Sequence, residues 1–208
     1  MKTYDCTQGS PEWHALHFGR PSASGFDRLI TPKARKRSAQ AERYAIELCA
    51  SFFLGEPLEG FSTAWMARGL ELEDDARRWY EFTHDVKVAR VGFITDDGGR
   101  YGCSPDGLVG AEGLLEIKCL SAANHVAALL GEAEPYTLQV QGQLWICERT
   151  WCDRLYYNPA LPPVVQRVER DEELIAQLAE TVEAFCDKLH VMQTRLMVLG
   201  CRPKETDI

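Results

Sequence analysis

The sequence predicts an α/β fold in which a central mixed β-sheet is flanked by helices, read over residues 1–208 as one domain. Three observations lead there. Apolar residues recur at helical spacing before Phe82 and after Asp171, the spacing changes to a period of two between Val88 and Cys119, and two further strand-like runs lie between Trp151 and Glu169. The length of 208 residues suits one domain, for which about 100–200 residues is usual.

In chain order, Ser22 to Ile30 carries a plausible N-cap and a short apolar face. Thr31-Pro32 breaks the chain and leads into the basic loop Lys33-Ala34-Arg35-Lys36-Arg37. Ser38 opens a helix with Ala41, Tyr44, Ala45, Leu48 and Phe52 on one face, ending near Gly55. A second helix is expected from about Ser62 to Phe82, with Trp65, Leu72, Ala76 and Trp79 inward. Val88, Arg90, Gly92 and Ile94 then alternate with Ala89, Val91 and Phe93, and Asp96-Asp97-Gly98-Gly99 marks a turn. Strands at Arg100–Ser104 and Gly113–Cys119 complete an expected three-strand antiparallel meander. Helices follow near Ala122–Leu130 and Tyr136–Glu148, strands at Trp151–Asn158 and Val164–Glu169, and a long amphipathic helix over Asp171–Leu199.

Composition narrows the function. No run approaches the roughly 18 apolar residues of a membrane span, so no membrane partner is expected. The N-terminal Met-Lys-Thr-Tyr-Asp-Cys lacks the apolar core of a secretory signal, which points to the cytoplasm. There are eight cysteines and no Cys-x-x-Cys pair, which favours free, buried thiols over disulfides, zinc or an iron–sulfur cluster. The net charge of −8 argues against a protein that coats DNA non-specifically. It is compatible with a DNA-processing enzyme that gathers carboxylates around cations.

The chemistry concentrates in Gly102-Cys103-Ser104-Pro105-Asp106-Gly107-Leu108 and in Leu114-Leu115-Glu116-Ile117-Lys118-Cys119. Pro105 and Gly107 do not fit a regular strand together, so Asp106 lies at a bend. Glu116 and Lys118 are two apart on a strand and project from one face, while Ile117 points to the opposite, buried one. Hydrolysis of a phosphodiester needs an activated water and neutralisation of charge on the phosphate and leaving oxygen. Hard cations such as Mg²⁺ meet that need and prefer carboxylate and carbonyl oxygens, here Asp106, Glu116 and the Ile117 carbonyl. Lys118 adds a positive donor to the reacting phosphate or water. A Glu-x-Lys triplet alone is common on exposed hairpins; the Ser-Pro-Asp-Gly upstream gives it weight.

These motifs, with Gln8-Gly9-Ser10-Pro11-Glu12-Trp13-His14, Ser22-Ala23-Ser24, Gly69-Leu70-Glu71-Leu72-Glu73-Asp74-Asp75-Ala76 and Gln139-Val140-Gln141, resemble the phage lambda exonuclease family. These are the YqaJ-type viral recombinase nucleases of the PD-(D/E)xK superfamily, and the resemblance covers most of the chain. It implies a restriction-endonuclease-like core and a Mg²⁺-dependent exonuclease, with Mn²⁺ able to substitute. It further implies 5′→3′ digestion of linear double-stranded DNA, leaving 3′ overhangs for recombination by single-strand annealing. A homotrimeric ring around the duplex, an annealing-protein partner and a phage or prophage origin in a bacterial host belong to the same resemblance. Carried onto this sequence, Asp106 and Glu116 match metal ligands, Lys118 the catalytic lysine, Glu73 a carboxylate completing the site, and Gln139 a site glutamine. Ser24 and Ser104 match serines near the bound phosphate.

One position departs from the family. An arginine commonly lies four residues after the tryptophan and grips the terminal 5′-phosphate; here His17 stands there, and Arg20 follows three positions on. Histidine neither grips bidentately nor stays charged at neutral pH, so either Arg20 supplies the contact or recognition of the 5′-phosphate is weaker here, with Arg35 in the basic loop as a candidate contact to the DNA backbone. Two alternatives stand beside this reading. One is a restriction or junction-resolving endonuclease of the same superfamily; the other is a non-catalytic DNA-end-binding protein.

Overall fold

The structure, a computed structural model, describes residues 1–32, 35–57, 64–133 and 135–204, with residues 64–71 described by backbone alone. Pro11–His17 forms α1, opened by Ser10, whose Oγ accepts from the Trp13 N–H, with Pro11 in the first turn. A 3-10 helix spans Ala23–Arg28 after Ser22. Helix α2, Ala41–Leu54, stops at Gly55, which takes the left-handed conformation (φ 60°) that ends helices without a Cβ penalty. Helix α3 runs over Ala64–His84; Ala76 is buried and Trp79 packs against its cluster, while the expected inward Trp65 falls outside the described side chains.

Two sheets are present. Strands β2 (Val88–Ala89), β5 (Gly107–Val109), β6 (Gly113–Cys119), β7 (Trp151–Tyr157) and β8 (Val164–Glu169) form the main sheet in the order β2-β5-β6-β7-β8. Only β6 and β7 are parallel, which makes the sheet mixed as expected. Their crossover contains α4, Ala122–Leu129, and α5, Thr137–Ile146, as a parallel connection requires. The long α6 covers Glu172–Val198, and Asp171 caps it by accepting from the Leu174 N–H at 2.9 Å.

The expected meander over Val88–Cys119 is corrected by the structure. Strand β3 (Phe93–Thr95) leaves the main sheet and pairs with β4 (Gly102–Cys103) and with β1 (Lys2–Tyr4), a strand not expected from the sequence. Arg100–Ser104 therefore never lies beside Gly113–Cys119; the three-residue β5 takes that place. Gly92 permits the departure, because a Cβ there would stand 2.3 Å from the Cys6 carbonyl oxygen.

Both faces of the main sheet are covered. Leu114 and Cys152 join Phe26, Leu144, Leu178 and Phe185 in the larger core beneath α2, α5 and α6. Leu115, Ile117 and Leu155 pack on Ala76 and Tyr80 of α3. Helix α3 is also pinned to β7. The Tyr80 hydroxyl donates to Asp153 Oδ2 at 2.7 Å, and Arg167 grips both carboxylate oxygens at 2.8 Å. The charged residues gather where β5 begins, beside the C-terminal half of β6.

Candidate active site

The register of β5 and β6 pairs Gly107 with Leu115, so the next residues outward, Asp106 and Glu116, face each other where the hairpin ladder ends. The bend at Asp106 is held from two sides. Gln8 Nε2 donates to the carbonyls of Val91 (3.0 Å) and Pro105 (3.1 Å), and Arg77 Nη2 donates to the Asp106 carbonyl at 3.2 Å. Beyond the start of β5, the free edge of β6 is taken by the Asp106 side chain, whose Oδ2 accepts the Ile117 N–H at 2.5 Å.

Glu116 and Lys118 share one face of β6, and Ile117 is buried on the other. That charged face meets α5. Lys118 Nζ lies 2.8 Å from Glu116 Oε1 and donates to Gln139 Oε1 at 3.2 Å. Gln139 Nε2 donates to Glu116 Oε1, and Gln143 Nε2 to Glu116 Oε2, each at 2.6 Å. The Glu116 side chain is only 3% exposed, so these donors replace the water it has lost. Lys118 Nζ also sits 4.5 Å from the ring centre of Tyr136, a residue in the left-handed conformation (φ 45°) just before α5.

The electrostatics follow from crowding. Burial, then the charges of Glu116 and Glu73 and a hydrogen bond to Glu73, push the Asp106 carboxyl well above its ordinary range; Lys118 opposes them. Burial works to lower Lys118, but the charges of Glu116 and Asp106 outweigh it and hold the ammonium above its usual value. Two cavities meet this cluster. One, of about 470 Å³, is lined by Asp106, Glu73, Arg77, Arg90 and Gln8; the other, of about 160 Å³, by Ser24, Tyr136 and Gln139.

The structure thus brings together Asp106, Glu116, Lys118, Glu73 and Gln139, with Ser24 at the rim of the second cavity. Ser104 Oγ accepts from Trp13 Nε1 at 2.8 Å. The remaining phosphate candidates are engaged elsewhere. His17 Nδ1 bonds the Trp13 carbonyl, its ring packs on Trp13 and Phe93, and burial depresses its pKa to about 4. It is a neutral packing residue, with no charge to offer a phosphate. Arg20 Nε donates to the Gly99 carbonyl in the β3–β4 turn at 2.6 Å, and its Nη1 is buried without a partner. Arg35 pairs with Asp171 (3.4 Å) and Glu173 (3.6 Å) at the start of α6; Lys33 and Ala34 lie outside the described residues.

Three site residues escaped the sequence reading: Gln143, Arg77 and Tyr136. The first two had a legible signal, since each lies one helical turn after a recognised residue, Gln139 and Glu73, and so shares its face. Tyr136 had none, because its place depends on a backbone turn.

Comparison with known proteins settles the family. The model of the YqaJ-like viral recombinase domain matches residues 12–150, more than half of the chain. The chain belongs to this family. Among solved structures, this family member is similar to an alkaline exonuclease, LHK-Exo, from Laribacter hongkongensis. The two share 33% identity and a TM-score of 0.80, over 90% of this chain and 96% of that one. LHK-Exo in complex with dAMP matches at 34% identity with the same coverage and TM-score. A phage-related exonuclease from Haemophilus somnus 129PT shares the fold, with a TM-score of 0.66 and 16% identity over 88% of this chain and 99% of that one. No curated protein matches. Among the described residues, no helix is long and apolar enough to cross a membrane.

Proposed function

We propose that this protein is a divalent-metal-dependent nuclease, a 5′→3′ exonuclease acting on the ends of linear double-stranded DNA, with Mg²⁺ as its ion and Mn²⁺ as a substitute. The observation that carries the reading is the charge imbalance where β5 begins, beside the C-terminal half of β6. There the carboxyls of Asp106, Glu116 and Glu73 crowd together with Lys118 as counter-charge.

The residues fit a hard cation. Glu116 has about four lone-pair sites, of which Lys118, Gln139 and Gln143 use three, so Oε2 keeps one. In an antiparallel ladder a residue's N–H and C=O leave by the same edge. The Ile117 N–H reaches Asp106, so its carbonyl leaves beside Asp106 too. Among the described residues, no three His, Cys, Asp or Glu side chains are already drawn into metal-binding geometry. Mg²⁺ does not need a closed cage, because it keeps several waters and takes one or two carboxylates. Asp106, Glu116 and the Ile117 carbonyl would hold the ion, with Glu73 completing the set. Bound there, it supplies Lewis-acid stabilisation of charge growing on the phosphate.

The chain's own residues do the rest. Lys118, charged at any working pH, donates to the reacting phosphate or the attacking water. Gln139 accepts from Lys118 while donating to Glu116, so a single amide fixes both side chains. Gln8 and Arg77 hold the Asp106 bend from the backbone. Membership of the family and the likeness to LHK-Exo support exonuclease chemistry, and a deoxynucleoside monophosphate is the expected product. A three-subunit ring and a single-strand annealing partner belong to the same proposal. Covalently closed circular duplex tests it against the endonuclease alternative: linear DNA is consumed with Mg²⁺ and the circle survives. Cleavage of the circle favours an endonuclease, and digestion of neither favours an end-binding protein.

A further inference from the structure

Gln143 is 1% exposed, and its amide is divided. Nε2 donates to Glu116 Oε2 at 2.6 Å, while its own Oε1 is buried with no partner. An unpaired buried acceptor is costly, and a core would ordinarily fill this place with an apolar side chain. The cost is tolerated at the one position on α5 that reaches the side of Glu116 opposite Lys118 and Gln139, which both meet Oε1.

We propose that Gln143 is a positioning residue for cation binding. It clamps Glu116 through Oε2, fixes the carboxylate plane, and leaves the remaining lone pair of that oxygen directed at the divalent ion. Two amides one turn apart on α5 thus hold the two oxygens of Glu116 in a fork, Gln139 on one and Gln143 on the other. Gln139 also touches Lys118, so its loss would disturb two groups, whereas among the described residues the only side-chain hydrogen bond of Gln143 goes to Glu116. Outer partners that orient a metal ligand typically change metal affinity about 10- to 100-fold when removed. The inference rests on Glu116 being a metal ligand, and the controls keep the two ideas apart.

The test is calorimetric titration of the full chain with Mn²⁺, comparing the parent, Gln143→Leu and Glu116→Gln, with thermal melts of each. Anisotropy of a labelled duplex end in chelator provides a readout independent of the metal. Glu116→Gln is expected to lose Mn²⁺ binding, and Gln143→Leu to weaken it by roughly 10- to 100-fold. Metal-free DNA affinity stays within about two-fold, and the nuclease activity of Gln143→Leu returns at high Mg²⁺. Should Gln143→Leu not fold, the unbranched Gln143→Met gives the same comparison. Mn²⁺ affinity within two-fold of the parent for the Gln143 variant, with binding lost in Glu116→Gln, overturns the role of Gln143. A parallel fall in metal and DNA affinity also overturns it, since that marks a merely structural residue. Retained binding in Glu116→Gln overturns the assignment of Glu116 instead.

Discussion

Replacing Lys118 with methionine removes the ammonium and keeps most of the side-chain volume. In the structure Lys118 contacts Glu116 Oε1 at 2.8 Å, Gln139 Oε1 at 3.2 Å and the Tyr136 ring at 4.5 Å, and the described residues offer no second lysine at the site. Loss of one pre-organised donor to charge developing in a transition state lowers kcat by about 10²- to 10³-fold, or roughly 2.7–4 kcal/mol. Metal binding responds in the opposite sense. The ammonium occupies one lone pair of Glu116 and offsets the charge of Asp106, so its removal leaves the site more negative and the affinity for Mg²⁺ unchanged or higher. The assay is single-turnover digestion of linear duplex at saturating Mg²⁺, beside calorimetry of Mg²⁺ and of DNA binding. Full activity in Lys118→Met refutes the donor role, and loss of Mg²⁺ binding refutes the claim that lysine is not a ligand. The pH profile gives an independent check. Glu116 and Asp106 hold Lys118 above its ordinary value, so activity should show no alkaline fall before the usual lysine range. The elevated Asp106 carboxyl of the metal-free site should make Mg²⁺ affinity begin to fall above the ordinary carboxylate range as pH is lowered, because the ion must displace the proton.

Three further outcomes are expected. Asp106→Asn should abolish Mg²⁺ binding yet raise the Tm of the metal-free protein at neutral pH. The folded pKa is raised, so the parent loses stability as pH climbs above the unfolded value near 3.8, and the amide does not; an unchanged or lower Tm at pH 7 contradicts this. Asp153→Asn should cost about 1–3 kcal/mol, or roughly 2–4 °C of Tm per kcal/mol for a chain of this size. Hydrogen bonds from Arg167 and Tyr80 overcome burial and hold Asp153 below 3.8, so the deficit is full above that pH and closes as pH falls below it; a deficit that persists in melts at low pH counts against it. Arg20→Ala should lower Tm and slow 5′-phosphorylated and 5′-hydroxyl ends alike, because its guanidinium holds the Gly99 turn. Selective slowing of phosphorylated ends would instead assign it the terminal phosphate.

Local pattern carried much of the fold. The helices at Ala41–Leu54, Thr137–Ile146 and Glu172–Val198 and the strands at Trp151–Tyr157 and Val164–Glu169 lie within a few residues of where periodicity and caps put them. The meander failed because alternation over Val88–Ile94 says nothing about which strand pairs with which. Pairing was decided by the close approach at Gly92 and by β5, too short to show a period. The acid–acid–lysine centre was legible since Glu116 and Lys118 are two apart on one strand and a Pro–Gly frame bends the chain at Asp106. The surroundings of the phosphate candidates were not. What His17 and Arg20 do depends on Trp13, Phe93 and Gly99, which meet them only in three dimensions.

The most direct test of a 5′→3′ exonuclease centred on Asp106, Glu116 and Lys118 is the time course of label release from linear duplex carrying a label at either the 5′ or the 3′ end. The protein and its Glu116→Gln variant are compared with and without Mg²⁺. The account predicts early release of 5′ label as mononucleotide, retention of 3′ label on a long single strand, and no release without Mg²⁺ or Glu116. Early release from the 3′ end, or release that persists in chelator or in Glu116→Gln, would contradict it.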